Sequence, residues 1–247
     1  MRAYVPNVSR PTSGDAGSAH SHMVRPKAPV AMMVGCVDMR EVGSQMLERF
    51  TDRFVLTEGT RGGSIVGDPL AVLRGEFCGC TFKGGLYRVH TLVSASAANR
   101  LVTDAFPEFR TRASCFAFDW LGRQFATDRE RGAPSDREVL MFEPGTGQVL
   151  EIPVPFSAFH DEELVDYTEE ALATRFFAAW KATLGSMLAF DECVGYRTPL
   201  FLGGHDDVAN LELSDIDVYW TIMGQLRLQT LRIRPGREIT EARIQDR

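Results

Sequence analysis

Nowhere in the 247 residues does an apolar run approach the roughly 20 positions that a helix needs to span a bilayer. The opening stretch, MRAYVPNVSRPTSGDAGSAHSHMV, also lacks the apolar core of a secretory signal, so the expected location is cytoplasmic. Cysteine is sparse: the five residues at 36, 78, 80, 115 and 193 are odd in number and form no C-x-x-C pair. That argues against a disulfide framework and a zinc knuckle, and fits a reducing compartment. Complete catalytic signatures are missing as well. The glycine-punctuated stretch GTRGGSIVGD (59–68) ends in no Gly-Lys-Ser/Thr and holds no G-x-G-x-x-G, and Ser64 misses a G-x-S-x-G elbow by one position. It reads as a surface loop. With no zincin motif and no EF-hand loop, the expectation is a protein without cofactor, metal or turnover.

What is present is ordinary globular composition, 44% hydrophobic and 24% charged, in a chain long enough to bury about 70 to 75% of its unfolded surface. The net charge of -6 hides a partition. Residues 119–220 carry 20 Asp or Glu against 7 Lys or Arg, whereas the remainder carries 13 acids against 20 bases. Such a stretch repels nucleic acid and attracts a basic protein, although solvated helix faces and loops also need charge.

Residues 1–37, rich in Pro, Ser, Gly and Ala without periodicity, read as a flexible leader. The His20-x-His22 pair there lacks further ligands for a metal. Met39, Val42, Met46, Leu47 and Phe50 share one helical face over 38–54. Strand patterns follow. FCGCTF (77–82) and LYRVHTLV (86–93) flank a Gly84-Gly85 turn, and a short helix is expected over 99–106. SCFAFDW (114–120) places Phe116, Phe118 and Trp120 in alternation, and EVLMFEP (138–144) and QVLEIPV (148–154) flank a Pro-Gly-Thr-Gly turn. If 77–82 is a strand, Cys78 and Cys80 point the same way, as packing residues. The second half is helical: Asp166 and Glu169 suggest a capping pair before one core helix through Tyr167, Leu172, Phe176, Trp180 and Leu184 to Gly185. These patterns predict an α+β fold, a mostly antiparallel sheet packed with a smaller helical C-terminal region.

The segment CVGYRTPLFLGGHDDVANLELSDIDVYWTIMGQL (193–226) is the most distinctive. Ser214 and Asp217 form a capping pair, with Leu213 and Val218 at staple positions, for a helix over 215–228. Asp215 and Asp217 then lie where the helix dipole stabilises carboxylates. His205, Asp206 and Asp207 invite a metal-dependent hydrolase reading, but adjacent loop residues rarely converge on one ion.

The strings GYRTPLFLGG, NLELSDIDVYW and GQL, with FDWLGRQFATD and VLMFEPGTGQVLEIPVPFSAFHDEEL before them, resemble bacterial type VI secretion immunity proteins. In that family a GAD-related N-terminal domain precedes a characteristic C-terminal immunity domain. The resemblance runs over about 115–228, and faintly over 38–114. It implies a GAD-related region at 38–155, an immunity domain at 156–229 and a tail at 230–247. It further implies a cytoplasmic antidote that binds a DNase effector, without binding nucleic acid or membrane itself. An acidic protein can occupy the basic cleft a DNase needs. The expected contact surface is the loop from Gly203 through Gly204, His205, Asp206 and Asp207 to Asn210, with Tyr196 and Phe201 as anchors. A protein-binding adaptor unrelated to toxins is the other non-enzymatic reading.

Overall fold

The computed structural model describes residues 21–22, 46–63, 65, 67–184, 187–231 and 244. The expected leader, apart from Ser21 and His22, and nearly all of the tail lie outside these residues, as does the first half of the helix expected over 38–54.

Seven strands follow one another as an antiparallel meander: β1 (Leu56–Glu58), β2 (Thr81–Phe82), β3 (Tyr87–Val89), β4 (Ala113–Asp119), β5 (Gln124–Ala133), β6 (Asp136–Glu143) and β7 (Gln148–Pro155). Ser21–His22 adds a parallel pairing at the outer edge of β7. The strands are buried on both faces, so alternation sorts two apolar sets. Val139 and Met141 of β6 enter one cluster, Leu140 and Phe142 the other. The first cluster lies under α1 (Glu48–Arg53), α2 (Pro69–Phe77), the helical stretch α4 (156–166), α5 (Thr168–Leu172) and α6 (Thr174–Leu184). The second lies under α3 (Leu92–Ala105) and α7 (Ile216–Thr230). A Cβ on Gly224 would stand 2.9 Å from that of Ala105, which is how closely α3 and α7 approach. The architecture is therefore α+β, with the sheet sandwiched between two helical layers. A two-stranded ribbon, β8 (Glu192–Tyr196) with β9 (Leu211–Asp215), completes the C-terminal part.

Several local expectations are corrected. FCGCTF is mostly not strand. Asp68 accepts from the Ala71 amide and Pro69 opens α2, which runs to Phe77, leaving Cys78 exposed and Cys80 buried. The strand at Tyr87 stops at Val89 because Thr91 and Ser94 form a capping box, so Leu92 and Val93 begin α3, which is longer than the 99–106 helix expected. A bulge in β4 between Cys115 and Ala117 breaks the alternation: Phe116 joins the first cluster, whereas Phe118 stacks on His90. The single helix expected over 166–184 is two, divided at Ala173 in the left-handed region, φ 49°. Asp166 caps nothing there; it pairs with Arg49 at 2.5 Å.

The turn joining β4 to β5, Asp119-Trp-Leu-Gly-Arg123, binds the layers together. Asp119 accepts from the Leu121 and Arg123 amides and, at 2.6 Å, from Arg123 Nε. Arg123 also donates to Glu143 and to the Ala171 carbonyl, and Trp120 Nε1 to the Leu172 carbonyl. The Val194 amide donates to the Trp120 carbonyl, and Trp220 Nε1 to the Gly122 carbonyl. Five residues thus hold α5, β8 and α7.

Because Asp119 is wholly buried, removing its partner strands a charge in the interior. Arg123→Met should cost about 3 to 5 kcal/mol in urea denaturation. A loss below about 1 kcal/mol would show that the turn is not a fastening. Two buried histidines set the pH dependence. Burial depresses His90 from 6.5 to about 4 and His160 from 6.5 to about 3, the latter ringed by Phe50, Phe156 and Phe159. Below their unfolded value the unfolded chain binds protons that the fold refuses, so stability held above pH 6.5 falls as the pH drops toward 4. The unfolding free energy from urea denaturation should decline by roughly 1.4 kcal/mol per pH unit per histidine in that window; a flat profile would contradict this.

Candidate partner-binding site

The loop between β8 and β9 is closed by one side chain. Asn210 accepts the Thr198 amide at 3.0 Å and donates to the Thr198 and His205 carbonyls, each at 2.9 Å. Asp207 caps the short turn Val208–Asn210 by accepting the Asn210 amide. Pro199 starts the 3-10 turn Leu200–Leu202, whose first amide donates to Gly145 in the β6–β7 hairpin, and Phe201 packs on Gly147 of that hairpin. Gly203 takes φ 89°, and a Cβ at Gly204 would lie 2.0 Å from the Thr198 carbonyl oxygen. Both glycines are therefore required by the loop path.

All eight expected contact residues belong to this one structure, but not in equivalent places. His205, Asp206 and Asp207 are exposed, Gly203 likewise; Gly204, Asn210 and Phe201 are half-buried. Tyr196 lies beneath the loop with its hydroxyl donating to Asp206 Oδ1 at 2.6 Å. Burial, then the Asp206 bond and charge, pushes its phenol up, so it stays a donor. Asp206 and Asp207 are each engaged in a local hydrogen bond, so the loop is organised as a turn. Among the described residues no group of three His, Cys, Asp or Glu is placed to hold a metal.

The cap of α7 also differs from expectation. Asp215, not Ser214, accepts the Asp217 and Val218 amides, because β9 pairs on through Asp215 and the helix begins at Ile216, which makes Asp215 the flanking residue. Leu213 and Val218 are exposed rather than stapled together. Tyr219 and Trp220 both face the core, along with Met223 and Leu226.

Placement divides the acidic partition into three groups, of which six acids lie in 161–170, where Asp166 pairs with Arg49 and Glu169 with Arg175. Acids of the sheet are consumed internally: Arg112 bridges Asp128 and Glu151, Arg131 pairs with Glu138, and Arg123 holds Asp119 and Glu143. From 187 to 220, in contrast, seven Asp or Glu face a single basic residue, Arg197. Asp191, Asp206, Asp207, Glu212, Asp215 and Asp217 among them are exposed. Asp191 and Asp217, missed as site residues in the sequence, meet at the start of α7. The Ile216 amide donates to the Asp191 carbonyl, and burial plus the charges of Asp215 and Asp191 raises the Asp217 carboxyl.

Residues 155–227 match the family described as type VI secretion system (T6SS) immunity protein Tdi1, C-terminal. The matched span contains α5, α6, the ribbon, its loop and most of α7, under a third of the chain. Among solved structures the chain is similar to Atu4351 from Agrobacterium tumefaciens, at 16% identity over 72% of this chain and 88% of that one, with a TM-score of 0.50, a likeness of fold. No curated protein matches the chain.

If Asn210 is the clasp, Asn210→Ala should loosen the loop by about 1 to 3 kcal/mol. Hydrogen exchange at the Thr198 amide should accelerate while that of Ala126 in β5 stays unchanged. Equal acceleration at both would mean the residue supports the whole fold instead.

Proposed function

We propose, from the immunity-family match over 155–227, that the protein neutralises a type VI secretion DNase effector by occluding its DNA-binding or active site with the acidic surface of 187–220. The observation that carries this is the concentration of seven carboxylates against one arginine on the ribbon, its loop and the start of α7. A cleft built for phosphates presents Arg and Lys, and carboxylates on a rigid support satisfy them at the exclusion of DNA. Binding alone suffices, so the protein needs neither metal nor turnover. The division into a GAD-related region at 38–155 and an immunity domain at 156–229 belongs to the same proposal, as does action in the cytoplasm. Among the described residues no helix is long and apolar enough to cross a membrane.

Loop 203–210 is the first contact in this reading, with Asp206 and Asp207 steering the encounter. Phe201 supplies apolar area at its base and Tyr196 supports Asp206 from below.

The test is DNA cleavage by a candidate cognate nuclease effector, with increasing amounts of the protein. Cleavage should cease near a 1:1 ratio. Reversing Asp206 and Asp207 to Lys together should slow association by about tenfold or more and flatten its dependence on salt, with a smaller change in dissociation. Undiminished cleavage with excess protein would sink the proposal, and an unchanged association rate would move the contact away from this loop.

A further inference from the structure

Arg88 is fully buried on β3, on the face opposite Tyr87 and Val89, and among the described residues it makes no ion pair. Its guanidinium lies 4.4 Å over the Phe118 ring. Nη1 donates to the carbonyls of Ala189 (2.7 Å), Phe190 (3.3 Å) and Glu192 (2.6 Å), and Nη2 to that of Asp119 (3.1 Å). Burying a cation against carbonyls alone is costly, and three of the four come from one short turn before β8. That turn is further closed by the Ala189 amide donating to the Glu192 carboxylate, and it is joined to α7 through the Ile216 amide on the Asp191 carbonyl. Its outer side presents Asp191 beside Glu192, which is paired across the ribbon with Asp215. Carboxylates held this close repel one another, and the guanidinium beneath them offsets the repulsion while it fixes the backbone that carries them.

We infer that Arg88 is a positioning residue for recognition of the effector: from the sheet, it sets the 189–192 turn so that Asp191 and Glu192, with Asp215 and Asp217, form a preset cluster for cationic side chains of the partner. This rests on the immunity reading above and adds to it the buried residue that fixes the carboxylates at the start of α7. Lysine is a poorer fit here, since it lacks the second nitrogen that reaches the Asp119 carbonyl and the planar group that lies over Phe118.

The experiment measures binding of the full chain to the purified, catalytically inactivated nuclease. Arg88→Lys should weaken affinity by about tenfold or more. Asp191→Asn should weaken it in the wild-type background and have much less effect beside Arg88→Lys, because the carboxylate is by then already misplaced. Phe118→Leu removes the stacking but no charge and serves if Arg88→Lys fails to fold; it should weaken binding in the same direction. Val139→Ala, a comparable loss of core volume elsewhere, should leave binding unchanged. Wild-type affinity in Arg88→Lys or in Phe118→Leu, additive effects of Arg88→Lys and Asp191→Asn, or equal weakening by Val139→Ala would each overturn the inference. Failure of the wild-type protein to bind the nuclease overturns the immunity reading itself, and this inference with it.

Discussion

The buried pair Asp119–Arg123 is the constraint on which the other parts depend. A carboxylate without access to water must have its oxygens occupied, and Asp119 fills them with two amides and a guanidinium of its own turn. The turn is thereby rigid, and its remaining groups point at fixed positions. The carbonyls of Trp120 and Gly122 receive β8 and α7; the Arg123 and Trp120 side chains reach α5. Elements more than 40 residues apart in the chain are registered against one five-residue corner. Within FDWLGR, Asp119 is satisfied locally, whereas the Trp120 and Arg123 side chains and the Trp120 and Gly122 carbonyls each meet a partner distant in the chain.

Beyond the acids that the sheet uses in this way, the negative charge falls on two stretches, six Asp or Glu in 161–170 and seven in 187–220. Arg112, Arg123 and Arg131 draw the carboxylates of β4 to β7 into local networks, and Arg49 and Arg175 engage Asp166 and Glu169, whereas the ribbon, its loop and the first turn of α7 form a surface with six exposed acids. That surface is stiff as well as charged. Asn210 closes the loop, Asp215 caps α7, and Arg88 fastens the 189–192 turn from below. Carboxylates on a stiff support lose little entropy on meeting a partner, so steering and holding can be supplied by the same groups.

Where a signal is local, the sequence carried it. The β6–β7 hairpin follows from alternation on either side of Pro-Gly-Thr-Gly, and α7 from its periodicity over 216–226. Misreadings arose where a distant partner decides. FCGCTF has strand composition, yet Asp68 and Pro69 start a helix that reaches Phe77. Nothing near Phe116 announces a bulge, and an alanine in the left-handed region at 173 is invisible to helical periodicity. Ser214 and Asp215 are both good caps; the ribbon pairs on through Asp215, opposite Glu192, so the helix starts only at Ile216 and Asp215 caps it. In the candidate site, the Gly203–Asn210 loop was legible from its glycines and paired acids. Arg88 and Asp191 were not, because Arg88 lies about 100 residues before the turn it holds, and only the fold brings them together.

The central claim, that the partner is received on the acidic surface of 187–220, is tested most directly by a footprint. Amide hydrogen exchange of the protein alone and with the inactivated nuclease would be compared along the whole chain. The account predicts new protection over 189–192, 203–210 and the first turn of α7, with little change at α2 or the start of α3. Protection confined to the exposed Leu92 and Val93 side, with 187–220 unaffected, would contradict it.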